Sequence, residues 1–191
     1  MAYKVTTAVA TEPVTLAEAK LHLRVETAET ADDTIITALI TVAREFAEHY
    51  TGRAFATQTL EMALHCFPDY EDDYIDLDLP PVATITSVKY TDTAGVEQTI
   101  TGSAYALSLY GEARRLAPTY GNYWPTTQDV PDAVRIRYVT GYTTLPKAAR
   151  AGLLLLIGHL YENRQAVSTL SLNEIPMGAR SLLDTIKIWS K

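Results

Sequence analysis

The sequence predicts an α+β fold: a small four-helix domain, two helices from each end of the chain, interrupted by a mainly antiparallel β insertion. Three observations lead there. Apolar residues recur at helical spacing near both ends, they recur at every second position through the middle, and proline- and glycine-containing stretches separate the two regimes. At 191 residues and 47% hydrophobic content the chain can bury a proper core, which excludes a disordered tail.

The first helix is announced by "TLAEAKLHL". Thr15 and Glu18 stand three apart as a capping box, Pro13 blocks an earlier start, and Leu16, Ala19 and Leu23 share a face. A second helix starts between Thr30 and Asp33 and stops at Gly52. Along it Ile35, Ile36, Leu39, Ile40, Ala43, Phe46, Ala47 and Tyr50 form the apolar side, with Thr41, Arg44, Glu45 and Glu48 opposite, as in an ordinary amphipathic helix.

From about Thr57 the period falls to two. Leu60, Met62, Leu64 and Cys66 alternate with Glu61, Ala63, His65 and Phe67, the pattern of a strand. "YIDLDLPP" repeats it up to a proline pair, "ATITSVKYTDTAGVEQTI" reads as a hairpin turning at Gly95, and "SAYALSLYG" and "AVRIRYVTGY" add two more strands. In the last, Val134, Ile136, Tyr138 and Tyr142 lie on one side. "PTYGNYWP" is a loop whose Tyr123 and Trp124 form either a ligand platform or an aromatic plug at one end of the insertion.

Helical spacing returns after Pro146 and runs to about Arg164. In "GLLLLIGHLYENRQAV", Leu153, Leu154, Leu155, Leu156, Ile157 and Leu160 wrap most of the circumference, so a second surface has to cover what one core cannot. The uninterrupted apolar run ends at His159, short of the ~20 residues of a membrane span, so that cover is protein. It is supplied by neighbouring subunits or, alternatively, by the other helices of a bundle around a central helix. A polar connection, "STLSLNEIP", leads to a short last helix bearing Leu182, Leu183, Ile186 and Trp189. The expected domains are residues 13–53 with 146–191, helical, and 54–145, the β insertion.

Several function classes are disfavoured at once. A net charge of -7 gives no cationic field for phosphate, and a single cysteine, Cys66, supplies neither a disulfide framework nor a thiolate zinc site. The start "MAYKVTTAVATEP" carries no secretory pattern, so synthesis in the cytoplasm is expected. Nucleophile-elbow, P-loop and dinucleotide fingerprints are missing, and His22, His49, His65 and His159 have no close pairing. The acidic run Asp69, Glu71, Asp72, Asp73, Asp76, Asp78 is the one motif favouring a small metal-dependent enzyme. It does not fit a calcium loop, because the sixth and twelfth positions counted from Asp69 are Tyr74 and Pro80. Asp76 and Asp78 read more simply as the wet face of a strand. Arg44, Arg53, Arg150 and Arg164 would serve a DNA-binding module, but no aromatics interleave with them, and pairing with Glu45, Glu48 and Glu162 is the blander role.

In their order, "VTLAEAKLHLRV", "DDTIITALITVAREFAEHYTGRAF", "LDLPPVATITSVKY", "NYWP", "VRIRYVTGY", "LPKAARAGLLLLIGHLYENRQAV" and "IPMGARSLLDTI" resemble the head-tail connector, or adaptor and head-completion, family of long-tailed bacteriophages and related gene-transfer particles, in the longer form with a β insertion. The resemblance runs from Pro13 to about Ile186. It implies a structural virion protein, made in the bacterial host cytoplasm and residing at the head-tail junction, with no catalytic, cofactor or metal residues. It implies a ring, commonly a dodecamer and possible as a free monomer, that docks on the portal protein and meets a neck or tail-completion protein. DNA passes through its channel without specific binding, and an acidic wall suits that passage. On this reading Leu153, Leu154, Leu156, Ile157, Leu160, Tyr161 and Arg164 are the candidate oligomer and portal contacts, and the segment from Gln165 onward is expected to be mobile until docking orders it.

Overall fold

The computed structural model describes residues 3–68, 74–108, 114–163 and 177–189, and its first element is a strand that the sequence pattern does not predict. In chain order the elements are β1 (Tyr3–Thr7), α1 (Leu16–Leu23), α2 (Asp33–Thr51), β2 (Gln58–Leu64), β3 (Ile75–Asp76), β4 (Val82–Thr91) and β5 (Glu97–Thr99). There follow a one-turn 3-10 helix (Gly102–Ala104), β6 (Tyr105–Leu107), β7 (Arg115–Pro118), β8 (Val134–Thr140), α3 (Lys147–Glu162) and α4 (Met177–Asp184). The α+β class and the antiparallel insertion between helix pairs are as the periodicities predict. Two compact units result, one from Met1–Ala10 with Thr57–Tyr142 and one from Thr11–Ala56 with Thr143–Lys191.

In the sheet unit, five strands lie in the order β1-β2-β8-β4-β5 and three more in the order β3-β7-β6. β8 is the axis of the larger sheet. Its alternation buries Val134, Ile136, Tyr138 and Thr140 and leaves Arg135 and Arg137 exposed. Leu60 and Met62 of β2, Val82 and Val88 of β4, Ile75, Leu77 and Leu116 complete one apolar cluster shared by both sheets. β1, which precedes α1 and α2 in the chain, joins this unit by pairing antiparallel with β2, Tyr3 opposite Met62 and Val5 opposite Leu60. All five of its residues are exposed, so it carries no buried alternate face and is held by its backbone ladder. That is why periodicity misses it.

Of the loop aromatics, Trp124 stacks on Phe67 with ring centroids 4.8 Å apart and planes 3° from parallel, and Phe67 meets Tyr90 edge-on at 5.9 Å. Trp124 is thus the plug. Tyr123 is 74% exposed.

In the helical unit the capping box forms as its spacing predicts: Glu18 N–H donates to Thr15 Oγ1 at 3.2 Å and Thr15 N–H donates to Glu18 Oε2 at 3.0 Å. α1 ends on Arg24 at φ 58°, the left-handed position that glycine fills most easily. Arg24→Gly is therefore expected to raise the unit's stability by about 1 kcal/mol, read as a higher urea midpoint at unchanged slope. Gly52 closes α2 in the same conformation, φ 70°. At the other end Asp32 makes no capping bond. Its carboxylate instead accepts from the Tyr161 hydroxyl of α3.

α2 departs from the ordinary amphipathic pattern. Arg44 and Glu48, expected on the wet side, are each 6% exposed. Arg44 Nη1 lies 2.7 Å from Glu48 Oε2 and its Nε 2.8 Å from Glu12 Oε2, while Glu48 Oε1 accepts from Phe55 N–H at 2.7 Å and Ala56 N–H at 3.4 Å. The chain segments on either side of α2 cover this face, and the buried charges satisfy one another. Lys20 is the second buried cation, its ammonium donating to the Thr27 carbonyl at 3.1 Å and to Asp33 Oδ1 at 2.8 Å. It fastens the connection between α1 and α2.

Candidate functional site

α3 is the centre of the helical unit, with α1, α2 and α4 all packed against it. Ala149, Gly152, Leu153, Leu156 and Ile157 face that packing and are buried. Gly152 suits this close packing: a Cβ at this position would lie 3.2 Å from the Leu183 side chain of α4, which would have to shift by a few tenths of an ångström. Three neighbouring helices bury one side of α3, as around an apolar central helix, while Leu154, Leu160 and Tyr161 stay half-buried and Leu155 exposed, so part of the apolar surface expected to be left over does remain on the subunit.

This sorts the nominated contact residues. Leu153 (1% exposed), Leu156 (5%) and Ile157 (0%) are core of the subunit itself. Leu154, Leu160 and Tyr161 are half-buried, Tyr161 through its bond to Asp32. Arg164 lies outside the described residues. The residue of the leucine run that does reach solvent is Leu155, at 37%, which the sequence reading had left out of the contact set. Of the segment from Gln165, residues 165–176 also lie outside the described residues. Residues 177–189 do not fit the expectation of a mobile arm. Ala179 and Leu183 are fully buried, Tyr50 donates to Asp184 Oδ1 at 2.6 Å, and Ile188 N–H donates to the Thr51 carbonyl at 2.9 Å.

Exposed apolar residues of this unit include single side chains, Leu21 of α1 at 81% and Trp189 at 68%, and one regular row on α2. Ile35 (42%), Val42 (49%) and Phe46 (41%), with half-buried Leu39, recur at intervals of four, three and four along one side, while Ile36, Ile40, Ala43 and Ala47 at 0–3% make the side facing the core. α2 thus carries two apolar stripes. The sequence showed both, since both have helical spacing, but reading them as one broad face hid the outer one and omitted Val42. A second, smaller patch lies where α4 begins beside α3, with exposed Leu155, Met177 and Gly178, a Cβ on Gly178 lying 3.6 Å from Leu155.

The residues nominated for other chemistry are placed differently. Of the acidic run, Asp69, Glu71, Asp72 and Asp73 lie outside the described residues. Asp76 is bridged by Arg114 at 3.3 Å and Arg115 at 3.4 Å, with its side chain 29% exposed. Asp78 is half-buried, its Oδ2 has no hydrogen-bond partner among the described residues, and burial pushes its carboxyl above the usual range. The wet strand face expected for this pair is therefore partly closed, because β7 brings Arg114 and Arg115 alongside it. A carboxyl whose folded pKa is raised favours the fold while protonated and loses that contribution as pH rises through its folded value. Asp78→Asn is accordingly expected to raise stability at pH 7 and to flatten the fall in melting temperature between about pH 4 and 7. Thermal unfolding of both proteins across that range checks it.

Among the described residues, no group of three or more histidines, cysteines, aspartates or glutamates is placed to hold a metal ion. Among them too, no helix is long and apolar enough to cross a membrane. Of the arginines offered for DNA, Arg44 is buried with its two carboxylates, Arg150 pairs with Glu18, and Arg53 donates to the Ile186 carbonyl. Their guanidinium groups are thus spent on holding the unit together.

The sequence model of the phage gp6-like head-tail connector protein family matches residues 13–110. No curated protein matches the sequence significantly. Among solved structures, a chain in the neck of an empty gene transfer agent particle, computed with C6 symmetry, has the same fold, with TM-score 0.82, 24% identity, and coverage of 100% of this chain and 97% of that one. A chain of the native gene transfer agent virion aligns with TM-score 0.81 at 24% identity, and one from the neck of the native particle, computed with C12 symmetry, with TM-score 0.73 at 22%, both over the same shares of the two chains.

Proposed function

The chain belongs to the phage gp6-like head-tail connector family, and from that premise we propose that it is a structural subunit of the junction between a DNA-filled head and its tail. It docks as a ring on the portal, extends the DNA channel and gives the next neck or tail-completion protein its seat. The observation that carries this reading is the family match over residues 13–110, and the likeness of fold to neck chains along the whole sequence supports it. Copies of those neck proteins are arranged with six- or twelvefold symmetry, and a ring of the same kind suits a subunit whose helical unit keeps an apolar stripe in solvent.

The work such a subunit does is binding, and it needs no reaction chemistry. A net charge of -7 suits a channel that DNA must traverse without being held, since an acidic wall repels phosphate. Particles assembled without this protein are expected to be DNA-filled heads that lack tails and lose their DNA, counted by electron microscopy. Normal yields of tailed, infective particles in its absence would overturn the reading. The DNA-binding alternative is tested separately. The purified chain is expected to leave duplex DNA free at low ionic strength, and retention that weakens steeply with salt would favour the alternative.

A further inference from the structure

Given the connector role proposed above, we propose further that the outer stripe of α2 is the seam on which a second copy of this chain docks, head to tail, through the patch where α3 meets α4. Ile35, Leu39, Val42 and Phe46 follow the four-three-four spacing by which one helix seats another, over about 17 Å of helix axis. The adjacent stripe, one residue on, already holds the subunit's own core, so among the described residues this one stays largely in solvent, and Phe46 stacks on Tyr50 at 6.4 Å to lengthen it.

Charge selects the occupant. Beside the stripe stands Glu45, its side chain 66% exposed and only loosely held by buried Arg44 at 3.5 Å, on a chain with net charge -7, so apposing two identical α2 faces would bring acid towards acid. The α3–α4 patch is the complement. Leu155 and Met177, the latter 82% exposed, supply apolar contact, and exposed Lys147 supplies a cation on α3, whereas Arg180 of α4 already stands 4.0 Å from Asp184 and beside Tyr50 within the subunit. Two different patches on one unit make a heterologous contact, which propagates around a ring, whereas a stripe pairing with itself would stop at two copies.

Crosslinking within assembled particles tests the seam. The full-length chain, with the exposed Cys66 replaced by serine, would carry Val42→Cys, Leu155→Cys or both, and particles would be treated with a short thiol-reactive bifunctional crosslinker. The expected result is a ladder of covalent multimers of this chain from the double variant and none from either single variant. A covalent dimer from Val42→Cys alone would overturn the head-to-tail contact, as would crosslinks only to a different protein. So would absence of a ladder from particles that contain the chain. Absence of the chain from the particles would instead refute the connector role. As a second measurement, Val42→Asp is expected to lower the yield of tailed particles at least tenfold with the thermal transition of the purified chain unchanged; an unaffected yield would overturn the seam.

Discussion

Replacing Arg44 with methionine is expected to destabilise the helical unit by about 3–5 kcal/mol, the cost of leaving a buried carboxylate without its cation. Arg44 and Glu48 are both 6% exposed, so solvent does not substitute for the lost partner. Burial already pushes the Glu48 carboxyl above its usual range, against the pull of Arg44 and of the Phe55 and Ala56 amides. Without the guanidinium that rise grows. The folded variant then gains from protonating Glu48, and its deficit should be smaller at pH 5 than at pH 7, because a raised carboxyl pKa withdraws stability as pH climbs. Adding Glu48→Gln should restore most of the loss, since a neutral amide oxygen can still accept from Phe55 N–H without carrying charge. Urea unfolding of the single and double variants decides it. A double variant as unstable as the single would show that the ion pair is not what the fold depends on.

That network also marks where sequence reasoning stops. The capping box at Thr15 and Glu18 was legible because both partners sit within one turn, and β8 was legible because a single buried face imposes strict alternation. Arg44 was misplaced because hydrophobic periodicity treats every charge as outward-facing, and the residue that makes its burial possible, Glu12, lies 32 positions away. β1 was invisible for the opposite reason: with no buried side chain it leaves no pattern at all, and only its ladder with β2 defines it. β7 is a four-residue strand with one fully buried side chain, Leu116, and it enters a stretch dominated by turn residues. Its arrival beside Asp76 is what closes the acidic face that the sequence presented as open. On the outer side of α2, the exposed residues were named almost completely but read as part of a single core-facing side. Two apolar stripes about 100° apart look like one wide face until something fixes which of them meets the core.

The leucine run resolves the same ambiguity within a single helix, and it gives the second large effect. Leu153→Ala is expected to cost about 2–5 kcal/mol, because the 1% exposed side chain is core of the helix on which α1, α2 and α4 pack, and such packing does not fully collapse around a void. Leu155→Asp, two residues on and 37% exposed, should shift stability by no more than about 0.5 kcal/mol, as for surface substitutions generally. In assembly the order reverses. Leu155→Asp places an acid where the neighbouring copy would bring Glu45 and an apolar stripe, so tailed particles should fall sharply while the purified subunit melts normally. The void left by Leu153→Ala lies away from that contact, so any loss of particles should be recovered by lowering the assembly temperature. Melting curves and particle counts for the two variants read both effects. A Leu155→Asp protein that assembles normally would leave α3 as scaffold only, and a Leu153→Ala protein of unchanged stability would show that the central position of α3 contributes little to the fold.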